Sequence, residues 1–133
     1  MKTYQLVAAL GLAFLAAGAQ AAELVVIANP AVGPLSKEQV ADLFLGKSQS
    51  FTPVDQLESS ATYADFYKKV AGREVSQVKS TWSRIIFSGK GQAPQQLPDS
   101  AAVKKAVAAD PKAVGYIEKS ALDGTVKAVL TLD

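Results

Sequence analysis

The chain contains no histidine and no cysteine, and only one methionine and one tryptophan in 133 residues. Without histidine a Ser-His-Asp relay cannot be built. Without cysteine there is neither a thiol nucleophile nor a disulfide, and without both the usual zinc ligand sets are unavailable. A carboxylate-only metal site would remain open, but no D-x-D-x-D-G run occurs. No G-x-S-x-G nucleophile turn is present either. These gaps leave no catalytic motif, and nothing in the sequence asks for a cofactor. The chain also lacks an excess of one charge, with 14 basic residues against 12 acidic. The adjacent basic pairs Lys68-Lys69 and Lys104-Lys105 both fall in helical patterns, where a solvated face accounts for them. Nucleic-acid binding requires a clustered basic surface, so no nucleic-acid partner is expected.

Long apolar runs are scarce too. The one that occurs, Leu6 to Ala17, follows Lys2 and closes on Ala19-Gln20-Ala21, a small-x-small pattern that signal peptidases accept. It falls short of the about 20 apolar residues that a membrane span requires. Residues 1–21 are therefore expected to be a cleavable signal peptide, and 22–133 a single exported domain. Removing 21 of the 133 residues leaves 112, enough for a core without staples. No cysteine lies near the cleavage site to carry a lipid anchor, and no second long apolar stretch follows. The expected destination is the periplasm, with no membrane span after processing.

What is present alternates between strand and helix patterns. Glu23 to Ala28 is a continuous β-branched and apolar run, as in a strand buried on both faces of a parallel sheet. Asn29-Pro30 breaks it. Ser36 and Gln39 form a capping box, Leu35 and Val40 a hydrophobic staple, and Val40, Leu43 and Phe44 the stripe of a helix that Gly46 stops. Phe51 to Asp55 reads as a short strand. Tyr63, Phe66, Tyr67 and Val70 fall on one face of a second helix ended by Gly72, for which Thr62 and Asp65 provide a T-x-x-D cap. A third helix spans about 76–87, with Val78, Trp82, Ile85 and Ile86 on its buried face. Residues 91–98 read as an exposed loop, Asp99-Ser100 caps a fourth helix, and 113–118 and 125–130 read as strands. Alternating elements of this kind predict an α/β layered fold. Trp82 and Tyr116 lie on apolar faces, which fits core residues better than stacking platforms.

In their order and spacing, these segments resemble the phosphate-binding proteins of ABC transporters, the type II periplasmic binding protein group. The residues that carry the likeness are Val25-Val26-Ile27-Ala28-Asn29-Pro30, the run Leu35-Ser36-Lys37-Glu38-Gln39-Val40-Ala41-Asp42-Leu43-Phe44-Leu45-Gly46-Lys47, Phe66-Tyr67, Trp82 through Gly91, and Ala113-Val114-Gly115-Tyr116-Ile117. The resemblance implies a single lobe of such a protein, with a mixed, mostly parallel sheet flanked by about four helices. Full members enclose their anion between two lobes, and this chain has length for one.

In that family an Arg followed by Ser-Gly-Thr at a helix start grips phosphate. Free backbone N–H groups and the positive end of the helix attract the anion there. The matching stretch here runs from Val54 to Tyr63. It keeps the hydroxyls of Ser59, Ser60 and Thr62, lacks the Arg, and carries Asp55 and Glu58 instead. The candidate oxyanion site is therefore Ser59, Ser60 and Thr62, with Asn29 added because it follows a strand end. The competing reading is an ordinary helix cap at Thr62 and Asp65 and a turn at Asn29. Arg84 and Lys90 would supply a cation if the fold brought them near Ser60. Two functions stay open: a solute-binding protein for phosphate or a similar oxyanion, serving a membrane transporter, or an interaction protein that docks on a membrane receptor, sensor kinase or porin partner.

Overall fold

A strand as apolar as Leu24–Ala28 needs cover on both faces, and in the computed structural model, which describes residues 23–132, it lies inside a five-stranded sheet. This strand, β1 (Leu24–Ala28), has β4 (Ala113–Glu118) on one side and β5 (Lys127–Leu132) on the other. Beyond β4 come β2 (Thr52–Gln56) and then β3 (Gln95–Leu97), for an order β3-β2-β4-β1-β5. The expected signal segment lies outside the described residues.

The directions of the strands depart from the simplest reading of β1. Strands β2, β3 and β4 run parallel, whereas β1 is antiparallel to both β4 and β5. The sheet is mixed, and β1 is the strand that runs against the other four. Its continuous apolar run reflects helices on both faces rather than parallel neighbours. Helices α1 (Lys37–Phe44), α2 (Ala61–Ala71) and α3 (Val75–Phe87) cover one face, and α4 (Ser100–Ala109) covers the other. Side chains alternate accordingly along β1. Leu24, Val26 and Ala28 pack with Val40, Phe44, Phe66 and Trp82, while Val25 and Ile27 pack with Val103 and Val107.

Local chemistry explains the element ends. Ser36 Oγ accepts from the Gln39 N–H at 3.1 Å, and the Gln39 side chain accepts from the Ser36 N–H at 2.8 Å, closing the expected capping box of α1. Past its end, Gly46 takes φ 79°, and a Cβ there would stand 2.7 Å from Ile85 Cδ1. The left-handed backbone favours glycine, and a side chain there would also have to displace the tip of Ile85 on α3. Gly115 serves packing instead: a Cβ on it would meet Val103 Cγ1 at 2.5 Å, so its absence lets α4 lie close on the sheet.

Four local expectations change. The 91–98 segment contains β3, which adds to β2 in parallel. Helix α3 starts earlier than expected, with Glu74 as its N-cap and the Gln77 side chain accepting from the Glu74 N–H at 2.8 Å. Strand β5 is shifted toward the C-terminus, to Lys127–Leu132. Ile86 is 52% exposed rather than buried, because Val78 and Trp82 alone fill the fully buried side of α3. Trp82 and Tyr116 are core residues, as their periodicity indicates. Phe66 and Tyr116 stack at 3.8 Å between ring centroids, and Phe44 meets Phe66 edge-on at 4.7 Å. Each of these buried rings contributes about 1.5–3 kcal/mol through removal from water.

Candidate functional site

Strand β2 ends at Gln56, and residues 57–60 carry the chain over into α2. The turn closes through the Ser60 N–H, which donates to Leu57 O at 2.9 Å. Ser60 then caps the helix, its Oγ accepting from the Tyr63 N–H at 3.1 Å. The cap is therefore Ser60, and the T-x-x-D cap read at Thr62 and Asp65 is overturned. Thr62 already lies in the first helical turn, two positions past the cap, and Asp65 pairs instead with Lys69 at 3.2 Å. The Ala61 and Thr62 N–H groups occupy the first two helical positions, where no intrahelical acceptor exists. Ser59 and Ala61 are exposed, and Ser60 and Thr62 half-buried. The fold thus gathers Ser59, Ser60 and Thr62 around one helix start, whose first two N–H groups have no intrahelical acceptor.

Asn29 does not join them. Because β1 runs antiparallel, its C-terminal end lies beside the N-terminal ends of β4 and β2, with Ile27 opposite Gly115 and Thr52 opposite Ala113. Ser60 follows the other end of β2. Asn29 Oδ1 accepts from the Ala31 N–H at 3.0 Å and its carbonyl accepts from the Val32 N–H at 2.9 Å, a local turn. Neither Arg84 nor Lys90 lines the cleft beside the β2–α2 turn. The cation that reaches this turn is Lys79, paired with Glu58 at 3.5 Å. Spacing gives no hint of Lys79, because it comes from α3 and only the packing of α3 beside the turn brings it there.

The carboxylates around the helix start differ in role. Glu58 stays at the surface. Asp55 is 2% exposed and points into the aromatic layer under α1 to α3, opposite in direction to Val54. Its Oδ1 accepts from the Tyr116 hydroxyl and its Oδ2 from the Tyr67 hydroxyl, both at 2.7 Å. Burial pushes its carboxyl up to about 7, and the two tyrosine hydroxyls partly oppose that rise. Burial and the nearby Asp55 charge hold the Tyr67 and Tyr116 hydroxyls well above the ordinary phenol range. Gln56 extends the network: its N–H donates to Tyr116 Oη at 3.2 Å, and its Nε2 donates to Tyr116 O at 3.1 Å and Ser100 Oγ at 3.2 Å. Asp55 thus serves the interior, and an arginine in its place would bury a cation among aromatic rings. Tyr67 on the buried stripe of α2 and Tyr116 in an apolar strand were the available signal, since each interior hydroxyl needs an acceptor.

Two hollows flank the turn. A cleft of about 180 Å³ is lined by Asp55, Glu58, Tyr63, Lys79, Trp82 and Gln96, among others. A wider hollow of about 490 Å³ borders the first turn of α2, with Thr62, Asp65, Lys68, Glu74 and Glu118 on its wall. There Lys68 pairs with Glu74 at 3.1 Å. Among the described residues no cluster of three or more acidic side chains is placed to hold a metal ion, and no helix is long and apolar enough to cross a membrane.

No protein-family model matches the sequence, and no curated protein matches it. Solved structures do. An ABC-type phosphate transport receptor from Vibrio cholerae superposes with a TM-score of 0.63 at 23% identity, over 81% of this chain and 46% of that one. A putative phosphate ABC transporter substrate-binding protein with bound phosphate, from Clostridium perfringens, gives 0.64 at 21% identity over 81% of this chain and 44% of its own. PstS from Borrelia burgdorferi gives 0.55 at 15% identity over 74% and 41%. The chain spans less than half the length of these proteins. It has the α/β fold of phosphate ABC transporter substrate-binding proteins, in the extent of one type II periplasmic binding protein lobe.

Proposed function

We propose that this chain serves as a non-enzymatic solute-binding protein of the periplasm and takes phosphate or a similar oxyanion, weakly, at the start of α2. The observation that carries the reading is the pair of N–H groups at Ala61 and Thr62 that have no intrahelical acceptor, beside Ser59 and the Thr62 hydroxyl, in a fold shared with phosphate-binding proteins. Such a helix start supplies oriented donors and a partial positive charge. Binding is weak for three physical reasons. Water competes for every donor on a one-sided surface. Ser60 Oγ already accepts the cap hydrogen bond, so it offers a ligand only its proton. Glu58 and Glu118 stand near with their negative charge. Calorimetric titration of the processed protein with phosphate, sulfate and acetate tests this; heat with phosphate at millimolar concentration supports it, and none with any of the three refutes it.

One observation favours a second reading, an accessory protein that docks on a membrane receptor, sensor kinase or porin. Phe87 is 96% exposed, next to the half-exposed Ile86 at the end of α3. Exposed apolar side chains clustered in this way mark protein contacts. A photo-crosslinking residue at position 87 in intact cells should capture one membrane protein reproducibly; an absence of adducts there would count against docking through this face.

A further inference from the structure

A third hollow lies at the opposite end of β2 from Ser60, between the α1–β2 and α3–β3 connections. It measures about 250 Å³. Leu43, Trp82 and Ile85 form an apolar floor, and Phe51 and Pro53 line it. Ser48, Gln49, Thr52, Lys90 and Gln92 make its polar part. An apolar floor with a few polar groups is the make-up of small-molecule sites, and a space of this size suits a ligand of about ten heavy atoms.

The floor is built rather than incidental. Trp82 Nε1 donates to Phe44 O at 2.9 Å, which fixes the plane of the indole. Its six-membered ring then borders Gly46, where a Cβ would come within 3.1 Å of Cη2. Glycine at 46 thus keeps a side chain off this ring. The charge pattern sets this hollow apart from the two beside α2. No carboxylate lines it, whereas the others carry Asp55 and Glu58, or Asp65, Glu74 and Glu118. Lys90 is its one charged residue and makes no ion pair among the described residues.

We infer that this hollow is a second ligand site, for a small organic carboxylate with a flat apolar body. The body lies against the half-buried Phe51, Pro53 and Ile85, with the mostly buried Trp82 indole beneath them, and the carboxylate faces the Lys90 ammonium and the Thr52 hydroxyl. The inference is independent of oxyanion binding at α2, since the two sites share no residue.

The test is an NMR titration of the processed protein with benzoate, its neutral analogue benzamide, and inorganic phosphate. Benzoate should move the Trp82 indole N–H and the Gly46 and Gly91 amides saturably, with a dissociation constant on the order of 1 mM, which a ligand of about nine heavy atoms reaches at ordinary efficiency. Lys90→Ala should weaken benzoate about 3- to 10-fold, as loss of a partly exposed charge contact does, and leave benzamide unchanged. Lys90→Arg should retain most of the benzoate affinity. Three results would each overturn the inference: no saturable shift up to about 20 mM benzoate, equal benzoate affinity in Lys90→Ala, or phosphate moving the same amides as strongly as benzoate.

Discussion

The Tyr116 hydroxyl donates to Asp55 at 2.7 Å across 61 positions of sequence, tying the middle of the sheet to the strand that leads into the candidate site. Tyr67 closes the arrangement from α2 at the same distance. The carboxyl between them is held at about 7, above the ordinary 3.8, because burial disfavours its charge. The folded protein therefore keeps a proton that the unfolded chain releases. This contribution to stability is complete below pH 3.8 and is lost as pH rises through about 7. At about 1.4 kcal/mol per pH unit the loss is on the order of 4 kcal/mol. Asp55→Asn cannot titrate. Urea unfolding across this range should show the wild type losing stability relative to Asp55→Asn as pH rises, and parallel profiles would show that the carboxyl titrates normally.

Removing either phenol oxygen tests the same network from the other side. Tyr67→Phe or Tyr116→Phe leaves one carboxyl oxygen of Asp55 without its partner, at a cost of about 1–3 kcal/mol. Both hydroxyls lower the Asp55 value, so each variant should also move the pH-dependent region upward. Unfolding measured at several pH values reads both effects. A variant as stable as wild type with an unmoved profile would mean the hydroxyl is not bonded to Asp55.

Trp82 joins α3 to α1 through Phe44 O and is 8% exposed. Trp82→Ala should cost about 3–5 kcal/mol in unfolding free energy, the usual penalty for emptying a large aromatic site. A loss below about 1 kcal/mol would indicate an exposed indole.

Ser60 separates structural from ligand roles at the start of α2. Ser60→Ala removes the cap acceptor and should cost about 1 kcal/mol, whereas Ser60→Asp keeps an acceptor and should fold nearly as well as wild type. Thermal unfolding of the two variants checks the order, and the reverse order would contradict the assignment of the cap.

The fold was largely legible because it rests on local chemistry. The capping box at Ser36 and Gln39, the stripe through Tyr63, Phe66, Tyr67 and Val70, and the stops at Gly46 and Gly72 are all written in short stretches and all stand in the structure. Strand direction was not legible, because burial on both faces gives β1 the same composition whichever way its neighbours run. The same ambiguity leaves open which end of the sheet carries Asn29; with β1 antiparallel to β4, it lies at the end away from Ser60. At the candidate site, the cluster of Ser59, Ser60 and Thr62 could be read from adjacency. The inward turn of Asp55 and the arrival of Lys79 depend on packing over tens of residues, and no local pattern encodes them.

Oxyanion binding at the start of α2 is tested most directly by an NMR titration of the wild type and Ser60→Asp with phosphate at low ionic strength. Saturable shifts of the Ala61 and Thr62 amides are expected in wild type, with a dissociation constant on the order of 1 mM or weaker. None are expected in Ser60→Asp, which keeps the helix capped but places a fixed negative charge where the anion must sit. Still Ala61 and Thr62 amides in the wild type, or equal shifts in both proteins, would contradict binding at this site.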